Sequence, residues 1–226
     1  MVLTAGDVTA PGAADALEQL CATYWYPLYF YLRRRGHSPH DAQDLTQGFF
    51  AGLLENDGLR SVNRAKGKFR SFLLASIKNF LLNDHDRAAA LKRGGAITFI
   101  SWEEAAAEMR FRQTEAIALA PDQAFEHSWA LTVLELALGK LRAEYVASGQ
   151  ASRFETLQVY LTGDKGALSY AEAAARLQLG DSALKMSIQR LRRRFGELLR
   201  TEVAQTVSTP AEIDAEIRAL FAAVRI

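Results

Sequence analysis

The chain has 226 residues, of which 49% are hydrophobic and 23% charged, and its 27 basic and 26 acidic side chains leave a formal net charge of +1. That balance belongs to a folded protein with room for two helical lobes, so disorder is not the default reading; it excludes a uniformly cationic field, so any nucleic-acid affinity must come from local patches. A lone cysteine, Cys21, allows neither an internal disulfide nor a CxxC metal clamp, no apolar run approaches the roughly 18 residues of a membrane span, and the N-terminus lacks a signal-peptide pattern, so a cytoplasmic address is expected.

Helix starts are marked by Ser or Thr three residues ahead of Asp or Glu, a spacing that lets each side chain satisfy the other's free backbone N–H. The pairs are Ser38 with Asp41, Ser101 with Glu104, Ser152 with Glu155, Ser169 with Glu172 and Thr209 with Glu212. In chain order, a helix is expected over Leu17 to Arg35, bent at Pro27, and a second over Pro39 to Glu55. Phe69, Phe72, Leu73, Ser76, Ile77, Phe80 and Leu81 follow the i, i+3, i+4 rule and predict a core helix. Between Ala88 and Pro121 the large apolar residues thin out around Gly94 and Gly95, which reads as a boundary. Ala96 to Ile100 alone looks like a strand, and one strand makes no sheet. Further helices are expected over Phe125 to Val146, Tyr170 to Leu177, Ser182 to Val203 and Pro210 to Val224. The fold class is therefore all-α: two helical lobes and a linker, with a C-terminal helix. The divisions are 12–93, 94–121 (linker), 122–204 and 205–226.

The segment from Ser169 to Phe195 reads as a helix-turn-helix. Ala173 and Ala174 allow close helix packing, Gly180 is expected to supply the turn, and Leu184, Ile188, Leu191 and Phe195 share one face of the second helix. Lys185, Gln189, Arg190, Arg192 and Arg193 are then left to solvent, where they suit a major groove; Lys185 and Gln189 are candidates for base edges and Arg192 to Arg194 for phosphates.

A second basic cluster comprises Arg60, Arg64, Lys66, Lys68, Arg70, Lys78, Arg87, Lys92 and Arg93, opposed by Asp84 and Asp86. Its phenylalanines lie on the burial face of a helix, which favours core over base stacking. Asp41, Asp44 and Gln47 form a polar stripe in the first turns of their helix, a place that favours negative charge; a solvated or partner-binding face fits better than acid–base catalysis. His37, His40, His85 and His127 form no ligand set, and no HExxH, P-loop, GxSxG or dinucleotide fingerprint occurs. No cofactor, metal or enzymatic activity is expected.

Taken together, these segments resemble the sigma-70 family of bacterial RNA polymerase initiation factors, in the extracytoplasmic-function (ECF) type that keeps regions 2 and 4. Leu17 to Arg35 with SPHDAQDLTQGFF is similar to regions 2.1 and 2.2, FRSFLLASIKNFLLNDHDR to regions 2.3 and 2.4, and Ala130 to Leu141 with Ser169 to Arg194 to region 4. The resemblance implies promoter recognition and melting, with polymerase doing the chemistry. It implies that Asp41, Asp44, Leu45, Gln47 and Phe49 dock on the clamp helices of the core enzyme, whose flap is a second partner. It implies that Asn79 accepts a flipped base of the minus-10 element, with Lys68, Arg70, Lys78 and Asn83 around the strand. The helix bearing Ser182, Lys185, Met186, Gln189, Arg190, Arg192 and Arg193 would read the minus-35 element. Phe72 replaces a frequent tryptophan and Asn83 a frequent aspartate. The C-terminal helix is expected to pack on region 4 or to bind a regulator, an anti-sigma factor or a kinase being the candidate partners. The rival readings are an autonomous helix-turn-helix regulator and a helical protein that sequesters a partner.

Overall fold

The computed structural model describes residues 13–55, 68–88, 104–114, 118–162, 168–207 and 209–225. These form α1 (Ala13–Arg34), α2 (Pro39–Glu55), α3 (Phe69–Ala88), α4 (Glu104–Thr114), α5 (Pro121–Ala147), α6 (Ala151–Leu157), α7 (Val159–Thr162), α8 (Tyr170–Leu177), α9 (Asp181–Ala204), a 3₁₀ turn (Pro210–Glu212) and α10 (Ile213–Val224). No strand occurs among the described residues; the strand-like segment from Ala96 to Ile100 lies outside them. The chain divides into two compact units, 1–132 with 204–226, and 133–203.

In the first unit, α1 buries Leu20, Tyr24, Leu28, Tyr31 and Leu32. Pro27 removes one helical hydrogen bond, a loss of about 3 kcal/mol in a helix interior. Each fully buried aliphatic or aromatic side chain returns about 1.5–3 kcal/mol, so packing outweighs the proline and α1 continues through it. Its C-terminus is a Schellman closure: His37 N–H donates to Leu32 O, Gly36 N–H donates to Arg33 O, and Gly36 takes φ +92°. α1 packs on α2 and α4. α3 buries Phe69, Leu73 and Ile77 at i, i+4, i+8, and the start of α5 adds Phe125 and Trp129. The segment read as linker, 94–121, contains α4, which is folded onto α1: Phe111 meets Phe30 edge to face at 5.2 Å, and Glu108 accepts from Arg33 Nε and Nη2, both at 3.0 Å, and from the Tyr29 hydroxyl at 2.8 Å.

The C-terminal helix belongs to the first unit and inserts Glu216, Leu220 and Ala223 into that unit's interior, where Ala223 O meets His127 of the 122–204 segment.

The second unit holds α8 and α9, the segment read as a helix-turn-helix. α5 contributes Val133, Ala137 and Leu141, α6 contributes Phe154 and Leu157, and α9 closes the core with Leu184, Ile188 and Leu191. Of the five expected capping boxes, Ser169 with Glu172 forms in full. Ser38 accepts from Asp41 N–H. Ser152 is not a cap: the α5 terminus, closed by Gly149 at φ +70°, leads directly into α6 at Ala151, with Gln150 as the cap residue. Thr209 starts only a 3₁₀ turn, without a side-chain cap. Ser101 lies outside the described residues.

Candidate polymerase and promoter interfaces

The acidic stripe lies on α2. Asp41 and Asp44 are exposed, and Leu45 and Gln47 are half-buried beside them. Asp41 turns back toward the cap, accepting from Ser38 Oγ at 2.6 Å. Asp44 lies 3.0 Å from His40 Nδ1 with both side chains largely in solvent, a pairing that water weakens to little. Asp44 thus presents accessible negative charge beside the half-buried Leu45 and Gln47. Phe49, expected on the docking face, is instead core: it is 3% exposed, and its ring meets Phe50 at 5.9 Å and Phe80 at 5.7 Å.

Along α3, the residues opposite Phe69, Leu73 and Ile77 form an exposed strip of Ser71, Ala75, Asn79 and Leu82. Leu82, at the end of the strip that carries the Asn79 amide, is 70% exposed. Lys78 flanks the strip and forms an ion pair with Asp122 at 2.7 Å. Asn83 lies in α3, and its side chain is outside the description, as are Arg60, Arg64, Lys66, Arg87, Lys92 and Arg93.

Arg70 is not on this strip. Its side chain is 8% exposed, with Nη1 donating to Glu216 Oε1 at 2.8 Å, Nε 3.0 Å from Glu126 Oε2, and the guanidinium 4.4 Å over the Trp129 ring. Lys68 Nζ lies 2.7 Å from the other Glu216 oxygen. Burial, then the nearby Glu216 charge, pushes the adjoining Tyr24 phenol well above its usual range. Burial also raises the Glu126 pKa, and Glu216 adds to the rise while Arg70 opposes it. The sequence held one signal for this cluster: Glu216 interrupts the apolar face of Ile213, Ile217 and Leu220, as Arg70 does that of Phe69 and Leu73.

In the second unit, Lys185, Met186, Gln189, Arg190 and Arg193 are exposed on α9, opposite the buried Leu184, Ser187, Ile188 and Leu191. Ser182 is also exposed, in the first turn. This is a surface that can offer both hydrogen-bonding side chains to base edges and charge to phosphates. Arg192 points elsewhere: Nε and Nη2 both donate to Tyr160 O, at 3.1 and 2.9 Å. Arg194 is engaged by Glu144 through two hydrogen bonds and by Glu197 through one. The turn differs from expectation too. Its left-handed residue is Gln178 at φ 53°, and Gly180 is not in a positive-φ conformation.

Among the described residues no group of His, Cys, Asp or Glu could hold a metal, and no helix is long and apolar enough to cross a membrane. Burial pushes the Cys21 thiol up to about 11, which leaves it protonated and a poor nucleophile at neutral pH.

Residues 23–90, which run from within α1 through α2 and past the end of α3, match the family Sigma-70 region 2. No curated protein and no solved structure matches the chain. The α2 stripe and the α3 strip both fall inside the matched span, so that part of the chain is similar to sigma-70 region 2.

Proposed function

We propose that the chain is an ECF-type sigma factor that docks on core polymerase through Asp41, Asp44, Leu45 and Gln47, engages the minus-10 element with α3, and reads the minus-35 element with α9. The observation that carries this reading is the coexistence of a region 2 match over residues 23–90 with a capped helix, a turn and a second helix at Ser169 to Phe195, in that order on one chain. Residues 12–93 would act as region 2 and residues 122–204 as region 4.

On α3, Asn79 would take an extruded base, with Leu82 beside it and Lys68 and Lys78 near the strand phosphates; Asn83 follows one turn later. On α9, Lys185, Gln189 and Arg190 would contact base edges, with Ser182, Met186 and Arg193 at the margins. A formal charge near zero supports a factor whose DNA binding matures only in the holoenzyme, because few counterions are released by the free chain. The address that follows is the cytoplasm, where polymerase works.

The decisive experiment titrates core RNA polymerase, freed of its own sigma factor, with the full chain and with Asp44→Arg. Tight binding by the parent chain and at least tenfold weaker binding by the variant is the expected result. A chain that ignores core polymerase yet binds duplex DNA would instead be an autonomous regulator, and one that does neither would be a sequestering protein.

A further inference from the structure

α10 carries one carboxylate on its buried side. Glu216 is 0% exposed, and each of its oxygens is taken by a cation from the beginning of α3: Oε1 accepts from Arg70 Nη1 at 2.8 Å, and Oε2 lies 2.7 Å from Lys68 Nζ. Toward its other end the same helix is held by a 2.8 Å hydrogen bond between His127 Nδ1 and Ala223 O. A tail that only had to cover an apolar face would be built more stably with an aliphatic residue at 216, because an ionised carboxylate loses more hydration than its partners fully restore. What Glu216 adds is chemistry: one anion bridging two cations, as a strand phosphate would.

We propose that α10 is an internal competitor for the promoter strand, with Glu216 standing in for a phosphate at Lys68 and Arg70 until the strand displaces the helix. The inference rests on the reading of α3 as the strand-holding element. Lys68, with a third of its side-chain surface exposed, is where an incoming phosphate would first gain hold. Arg70 keeps Glu126 and the Trp129 ring when Glu216 leaves, so its guanidinium stays oriented. Strand binding and α10 docking are then mutually exclusive at one pair of cations, and each weakens the other by the same factor.

The test uses core polymerase loaded with the full chain and, as probe, a fluorescein-labelled single-stranded oligonucleotide pool of randomised sequence. Glu216→Gln keeps the shape and a hydrogen-bond acceptor for Arg70 while removing the charge. Its holoenzyme should bind the pool several-fold more tightly with unchanged affinity for core, and the dependence of log K on log salt should steepen by about 0.7 for each cation freed. A second measurement covers the case in which this variant folds poorly: in the parent holoenzyme, amide hydrogen exchange in α10 should accelerate when the pool is added. Unchanged pool affinity in the variant, or α10 amides that stay protected in the parent's strand complex, would overturn the proposal while leaving the sigma reading intact. Failure of the parent chain to bind core at all would instead remove the reading beneath it.

Discussion

Arg70 and Glu216 meet at 2.8 Å although 145 residues of chain lie between them, and neither side chain is more than 8% exposed. The guanidinium is used on three sides at once, by Glu216, by Glu126 and by the Trp129 ring. Removing one partner of a buried pair leaves the other charge uncompensated, which typically costs about 3–5 kcal/mol. Arg70→Ala should therefore lower the stability of the first unit by about that amount in urea denaturation. Arg70→Lys should recover only part of it, since a single ammonium cannot reproduce the planar fork and ring contact together. A lysine variant as stable as the parent would show that charge alone, not this geometry, holds α10.

The turn between α8 and α9 offers a second test. Gln178 N–H and Leu179 N–H close on Ala175 O and Ala174 O in the same Schellman pattern that Gly36 and Gly149 complete elsewhere, but with a side chain in the left-handed region. Glycine removes that strain, so Gln178→Gly should stabilise the chain by about 0.5–1 kcal/mol and raise Tm by a few degrees. At Gly180 an added Cβ meets nothing within 4 Å, and φ is not positive. Gly180→Ala should thus be neutral or mildly stabilising. Opposite signs in thermal melts would return the turn to Gly180.

What the sequence made legible is what depends on near neighbours. Ser169 and Glu172 are three residues apart and need only each other, so their capping box could be read directly. Ser152 has the same spacing, but Gly149 ends α5 so abruptly that α6 begins ahead of it, a competition that pattern matching at one site does not see. The regular apolar spacing of α3 announced a buried face, and Phe69, Leu73 and Ile77 occupy it. The same periodicity could not say whether Phe49 faces a partner or the core, because the ring that decides it, Phe80, belongs to another helix. Nor could the amphipathic tail reveal what it covers. Its destination is fixed by Arg70 and Lys68, far back in the chain, and the docking and promoter roles of the two faces rest on the family match and the proposal built on it.

The attachment of α4 to α1 should depend on pH. Burial pushes the Glu108 carboxyl up, but hydrogen bonds from Arg33, Tyr29 and Arg112 outweigh it and hold the pKa below 4.5. A carboxylate whose folded pKa is depressed contributes stability above its unfolded pKa, about 4.3, and loses it as pH falls through the folded value. Amide protection in α4 should accordingly decline on acidification below about pH 4. Glu108→Gln should flatten that part of the profile and cost about 1–3 kcal/mol near neutrality. An undiminished acid response in the variant would assign the sensitivity to other carboxylates.

Neighbouring arginines on α9 should separate by function. Arg190 is exposed beside Lys185 and Gln189, with no ion pair to a described residue, whereas Arg192 spends two N–H groups on Tyr160 O, and the Tyr160 hydroxyl in turn donates to Leu168 O at 2.6 Å. Arg190→Ala should leave the melting temperature unchanged and weaken holoenzyme binding to duplex promoter DNA by about tenfold, with relaxed preference at the base it reads. Arg192→Ala should instead loosen the α7–α9 connection, by about 1 kcal/mol once its solvent exposure is allowed for. Its effect on DNA should track that loss of stability and be uniform across sequences. If Arg192→Ala relaxes base preference while the fold stays intact, the guanidinium leaves Tyr160 for the groove, and the contact in the free chain is a resting position rather than a structural tie.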